Sequence, residues 1–149
     1  MPYSSGVERA LKAAQLAHAG QTRKGDPTKP YAVHPTHVAL LLARLGADDA
    51  VLQAALLHDV VEDCEGWTVE RVAAEFGERV GAIVAEVSED KALSWEERKR
   101  EAIRRAPRLS AEAAAVQAAD KLHNLASLRE QLELAADPAV VWARFKGGR

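Results

Sequence analysis

Four titratable side chains, His58, Asp59, Glu62 and Asp63, crowd into the stretch LLHDVVED, which is otherwise apolar and follows AVLQAA. Burying an unpaired charge costs several kcal/mol or more. The stretch is therefore either a polar edge laced with salt bridges or the wall of a site that holds a cation. Read as one α-helix, in which residues three and four apart share a face, it places Glu62 and Asp63 one turn beyond His58 and Asp59 in a single stripe. Adjacent helical residues point about 100° apart, so an ion reached by both His58 and Asp59 lies off the edge between them. That position leaves room for ligands from other helices. Two residues suit the part: His34 at the mouth of an apolar helix, and Asp120 within VQAADKLHNLASL. Two imidazoles and two carboxylates form a borderline-to-hard donor set that accepts Mn²⁺, Fe²⁺ or Zn²⁺ with positions left for water. Such an ion would offset the charges of Asp59 and Asp120 and lower the pKa of bound water.

The elements that must position these residues read as helices throughout. Ser5 and Glu8 have capping-box spacing ahead of an amphipathic run that ends near Gly20. Residues 21–33, QTRKGDPTKPYAV, read as a loop, rich in proline and basic residues. His34-Pro35 starts a second helix, and Asp48 is the N-cap of the helix that carries LLHDVVED. Thr68 caps a short helix to Phe76, and Gly77 separates it from another that reaches Val87. Ser94 and Glu97 form a second capping box, Pro107 closes the helix they open, and Ser110 begins the longest helix, to about Ala136. Asp137-Pro138 restarts a last helix that ends in FKGGR. With no alternating strand pattern, internal repeat or linker, the expectation is an all-α chain forming a single domain over residues 1–149.

Composition narrows the class of protein. The chain has 149 residues, 48% hydrophobic and 28% charged, which suits a folded domain with a sizeable core. A formal charge of −2 gives no general attraction to nucleic acid or membrane. Cys64 is the single cysteine, so neither a disulfide framework nor a cysteine zinc cage is available. No apolar run is long enough for a membrane span and no signal peptide opens the sequence, so a cytoplasmic location is expected. Oligomeric state is not readable from these features.

Three motifs taken together resemble the HD-domain metallohydrolases: HPxxVA from His34 to Ala39, LLHDxxED from Leu56 to Asp63, and ADKLHNL from Ala119 to Leu125. GQTRKG and PYxxHP are similar to the hydrolase domain of the bifunctional stringent-response alarmone enzymes. FGxxV from Phe76 to Val80 and SEDK…ERKR from Ser88 to Arg100 look more like the stand-alone small alarmone hydrolases. The likeness runs from Ala14 to Leu128. It implies an HD-domain helical bundle in which His34, His58, Asp59 and Asp120 ligate a metal, usually Mn²⁺. Glu62 and Asp63 would handle the attacking water. The reaction implied is removal of the 3′-pyrophosphate from guanosine tetra- or pentaphosphate (ppGpp or pppGpp), giving GDP or GTP. No synthetase region accompanies these motifs, so the resemblance implies hydrolysis without synthesis of the alarmone.

A polyanionic nucleotide also needs cations. Arg23 and Lys24 match the pair that contacts substrate in the family; arginine can stack on a purine or grip phosphate with two bonds, and lysine acts as a point charge. Lys121 and Asn124 follow Asp120 on one helix, and Asn124, four residues on, could hydrogen-bond ribose or phosphate. His18 and His123 read as core histidines or supports behind the ligands, His37 as a surface or packing residue, and RKREAIRR as a solvated helix face. Trp95 and Trp142 read as packing anchors, and Cys64 as structural. Two other functions compete: an HD phosphohydrolase acting on a different nucleotide, such as a nucleoside monophosphate, and a non-catalytic metal- or nucleotide-binding module. The intact Glu62-Asp63 pair favours the alarmone hydrolase over both.

Overall fold

The computed structural model describes residues 4–144. Helix α1 (Ser5–Ala17) is followed by strands β1 (Thr22–Arg23) and β2 (Asp26–Pro30), and then by α2 (Val33–Arg44), α3 (Asp49–Leu57) and α4 (Val60–Asp63). Helices α5 (Val69–Phe76), α6 (Glu78–Val87) and α7 (Trp95–Arg105) come next. A 3₁₀ turn (Ala106–Arg108), the long α8 (Ala111–Leu134) and α9 (Pro138–Trp142) complete the described chain. The FKGGR end of the expected last helix lies outside the described residues.

Helix α3 is the hub. Six of its nine residues, from Val51 to Leu57, are buried, because AVLQAALL is apolar on every side and can be wrapped by neighbours. It packs against α1, α2, α6 and α8. Asp48 caps it, accepting from the N–H groups of Ala50 and Val51 at 3.1 and 3.2 Å. Thr68 and Ser110 cap α5 and α8 as expected, and Ser94 with Glu97 closes a complete capping box on α7. Gly81 lets α5 and α6 touch: a Cβ there would lie 2.6 Å from the Cβ of Ala73.

Several expectations need correction. The cap of α1 is Ser4, whose hydroxyl accepts from Val7 N–H at 3.2 Å; Ser5 is already helical. The segment expected as a loop contains an antiparallel hairpin, with Thr22 opposite Pro30 and Arg23 opposite Asp26. Gly25, at φ +88°, makes the turn that a side chain would strain. So short a hairpin, with two prolines, has no readable alternation. Trp95 is no packing anchor: it sits in the first turn of α7, 39% exposed, on a helix with no buried residue.

The most consequential correction is at LLHDVVED, where the single helix breaks after Leu57 and resumes as α4. The cause lies in a side chain. His58 Nδ1 donates to the Ala55 carbonyl at 2.7 Å, the region of backbone where Asp59 N–H would otherwise find its acceptor. Asp59, at the break, brings Oδ2 to 3.5 Å from His34 Nε2.

Candidate active site

The sequence-predicted ligands meet where α2, the α3–α4 break and α8 converge. His34 Nε2 lies 3.0 Å from Asp120 Oδ1 and 3.5 Å from Asp59 Oδ2. His58 Nε2 lies 3.2 Å from Asp59 Oδ1 and 3.8 Å from Asp120 Oδ1. One donor atom from each of His34, His58 and Asp120 falls within 4.8 Å of the others, a spacing that one ion could bridge, with Asp59 beside them.

The tautomer of His58 makes the fit specific. A carbonyl can only accept, so the bond to Ala55 places a proton on Nδ1 and turns the Nε2 face toward the carboxylates. That Nε2 is buried and makes no hydrogen bond. A buried polar atom without a hydrogen bond is costly, and a nitrogen so placed among carboxylates suits a metal. The cluster is suited to a divalent metal.

Charge within the group is strongly coupled. Burial opposes protonation of His58, but the Asp59 charge and the Asp120 carboxylate outweigh it and raise its pKa to about 9. Burial lowers the pKa of His34. For Asp120 burial acts upward, yet the hydrogen bond from His34, with His58 and the Lys121 charge nearby, holds the carboxyl far below the usual range.

Each of these side chains has a support behind it. Tyr31 donates from its hydroxyl to Asp59 Oδ2 at 2.7 Å and approaches Asp63 Oδ2 at 3.4 Å; burial, then the Asp59 charge, push its phenol well above the ordinary value. Asn124 Nδ2 donates to Asp120 Oδ1 at 2.6 Å, and Lys121 Nζ to Asp120 Oδ2 at 2.8 Å. His34 Nδ1 meets His123 Nδ1 at 2.6 Å. Tyr31 has a role the sequence reading missed. Its signal was in plain view, three residues before His34 within PYxxHP.

The acidic pair lines the same cavity. Glu62 Oε1 accepts from Glu89 N–H at 2.7 Å, and burial raises its pKa. Asp63 Oδ1 accepts from Lys91 Nζ at 2.8 Å. Five carboxylates (Asp59, Glu62, Asp63, Glu89, Asp120) face three cations (Arg23, Lys99, Lys121) around about 190 Å³. That excess of negative charge repels a phosphorylated ligand unless a metal offsets it. Lys99 and Lys91 were not singled out by sequence. Lys99 belongs to RKREAIRR, whose face is therefore not wholly solvated.

Arg23 reaches the cavity, donating to Asn124 Oδ1 at 2.8 Å with its guanidinium 5.4 Å from the Tyr31 ring centroid. It also lines a neighbouring cleft of about 460 Å³ between the hairpin, the end of α8 and α9. Lys24 does not line the cavity; it is exposed at the hairpin turn, where its carbonyl accepts from Gln131. His18 is buried, bonded to Gln21 at 2.8 Å and 3.4 Å from Cys64 Sγ. His37 is exposed, its ring 4.7 Å from that of His123.

A family model described as the HD domain matches residues 10–149. The chain belongs to the HD-domain family. Within it, the chain is 46% identical over 131 residues to the guanosine-3′,5′-bis(diphosphate) 3′-pyrophosphohydrolase MESH1 of Xenopus tropicalis, covering 85% of this chain and 73% of that protein. The mouse protein of the same name is 43% identical over 129 residues, covering 83% and 72%. A solved structure described as a metazoan ortholog of SpoT that hydrolyzes ppGpp superimposes with a TM-score of 0.82 at 39% identity, over 87% of this chain and 74% of that one. The all-α HD-domain architecture expected from the motifs is thus the one found, with the hairpin as its one sheet among the described residues. No helix among those residues is long and apolar enough to cross a membrane.

Proposed function

We propose that this HD-domain protein is a metal-dependent guanosine-3′,5′-bis(diphosphate) 3′-pyrophosphohydrolase, with Mn²⁺ held by His34, His58, Asp59 and Asp120. The observation that carries the reading is the buried Nε2 of His58, without a hydrogen bond and within 4 Å of the Asp59 and Asp120 carboxylates, in a cavity that also presents Arg23, Lys99 and Lys121. Similarity to proteins named for this activity supports it. Mn²⁺ suits two imidazoles with two carboxylates better than a thiol-seeking ion would.

A bound divalent ion supplies charge compensation and a lowered pKa for coordinated water. The protein's own groups do the rest. Glu62, its pKa raised by burial and one oxygen fixed by Glu89 N–H, is placed to accept the proton of the attacking water, with Asp63 beside it. The water oxygen bonds to the phosphorus nearest the ribose, the bond from that phosphorus to the 3′ oxygen breaks, and the 3′ oxygen leaves as a hydroxyl after gaining a proton. Pyrophosphate is released whole. A cavity of about 190 Å³ is small beside the roughly 300–1,000 Å³ of most ligand sites. It suits the diphosphate and the ion, and the nucleoside then extends past Arg23 into the neighbouring cleft. Lys121 and Asn124 face the phosphates and ribose, while Lys24 approaches from the turn.

Incubating Mn²⁺-loaded protein with guanosine tetraphosphate and a panel of nucleoside monophosphates tests the reading. Pyrophosphate release from the tetraphosphate is expected. Inert tetraphosphate with orthophosphate released from a monophosphate would replace it by the simpler HD nucleotidase.

A further inference from the structure

The four proposed ligands differ in the kind of group that stands behind them. His58 Nδ1 meets a backbone carbonyl, which can only accept. Asp120 meets the amide NH₂ of Asn124 and the ammonium of Lys121, which can only donate. Asp59 meets the Tyr31 hydroxyl, which must donate because a carboxylate can only accept. Only the contact of His34 admits either direction: the Nδ1 of His123 lies 2.6 Å from its own Nδ1, with both rings buried. Two imidazole nitrogens this close require one donor and one acceptor, so the pair has two polarities.

Only one of them admits an ion. For Nε2 of His34 to present a lone pair, its proton must sit on Nδ1 and be donated to His123 Nδ1, which obliges His123 to carry its own proton on Nε2. In the opposite polarity His123 donates, and His34 holds its proton on Nε2, pointed at Asp120 Oδ1 3.0 Å away and closed to a metal. Exchanging the two polarities leaves the number of protons on the pair unchanged. We propose that His123 is a positioning residue for metal binding: by accepting from His34 Nδ1 it selects the His34 tautomer whose Nε2 faces the ion. This rests on the reading of His34 as a ligand. Partners of metal-bound histidines typically change metal affinity by 10- to 100-fold when removed. His37, whose ring packs 4.7 Å from His123, has no hydrogen bond to it and marks the contrast between ring packing and hydrogen bonding.

Mn²⁺ affinity, measured by competition with a fluorescent chelator, separates these roles without using activity. His123→Ala is expected to weaken binding 10- to 100-fold. His123→Asn, whose amide oxygen takes the place of Nδ1 as an acceptor, should come back to within about threefold of the parent, and His37→Ala should also stay within that range. Long-range ¹H–¹⁵N spectra of the unmodified protein loaded with diamagnetic Zn²⁺ give a second reading that needs no variant. They should place the His34 proton on Nδ1 and the His123 proton on Nε2. Parent-like affinity in His123→Ala, equal loss in His123→Asn, or a proton on His123 Nδ1 in the loaded protein would each overturn the inference. Loss of binding in His34→Ala keeps that failure distinct from failure of the ligand assignment, which an unaffected His34→Ala would signal.

Discussion

His34, His58 and Asp120 project from α2, the end of α3 and α8, elements locked together through the core, whereas Arg23 and Lys99 reach the same cleft from the hairpin and α7, and Lys91, in the loop after α6, pairs with the Asp63 that lines it. In the first group His34 and His58 are buried and Asp120 is partly so, and each is backed by a hydrogen bond. The second hangs on polar contacts at a partly solvated rim, where Arg23 holds Asn124, Lys91 holds Asp63, Lys99 holds Glu89, and α7 contributes no buried residue. A site that must fix a metal to within fractions of an ångström belongs on rigid elements. Cations that grip a flexible polyphosphate tolerate a softer mounting. The difference predicts that substitutions in the metal face remove function outright, while those at the rim grade it.

The sharpest break should come at the face. Asp120→Ala or His58→Ala is expected to abolish both metal content, measured by elemental analysis, and turnover. Retained metal in both variants would dissolve the distinction between face and rim. Next in size is Glu62→Gln, which keeps shape and loses the base: turnover should fall by roughly 10²–10⁴-fold at near-normal metal content. A fall in metal content instead would move Glu62 from the chemistry to the ligand set.

Rim substitutions should act on binding. Arg23→Ala is expected to raise KM for guanosine tetraphosphate more than it lowers kcat, by roughly 10- to 150-fold, the worth of a charged hydrogen bond at about 1.5–3 kcal/mol. Lys24→Ala should do much less, because Lys24 sits at the exposed turn and outside the cavity lining. Equal effects of the two would mean that the hairpin closes further over the substrate than its contacts indicate.

A graded effect sharpens the comparison through pH. The folded-state pKa of His58, about 9, exceeds the ordinary histidine value of roughly 6.5. In metal-free protein its proton therefore contributes stability fully below about pH 6.5, and that contribution fades as pH rises through about 9. The same proton competes with the ion, so Mn²⁺ affinity should climb between pH 7 and 9, by at most about tenfold per unit from this group. Chelator competition across that range measures it, and a flat profile would mean that His58 is neutral before the metal arrives.

The convergence of His34, His58, Asp59 and Asp120 was readable in the sequence, because charged residues on apolar helices need a partner, whether an opposite charge or a cation. The burial of His18 and His123 agrees with their reading as core or supporting histidines, drawn from the motifs they share with the family. The break after Leu57 was not readable, since it is made by the His58 ring taking the Ala55 carbonyl, and no proline or glycine marks it. The hairpin escaped notice because five residues with two prolines carry no alternation. Lys91 and Lys99 gained roles only when the chain after α6 folded back against α4, a contact between residues 28 apart in the case of Lys91 and Asp63. Tyr31 could have been found, had the spacing before His34 been given the weight allowed to the spacing after His58.

Hydrolysis in H₂¹⁸O puts the central claim to the most direct trial. Mn²⁺-loaded protein is given guanosine tetraphosphate, and the products are separated and weighed by mass spectrometry. Attack at the phosphorus nearest the 3′ oxygen predicts one ¹⁸O in pyrophosphate and none in GDP. Label in the nucleotide, orthophosphate in place of pyrophosphate, or an unconsumed substrate would contradict it.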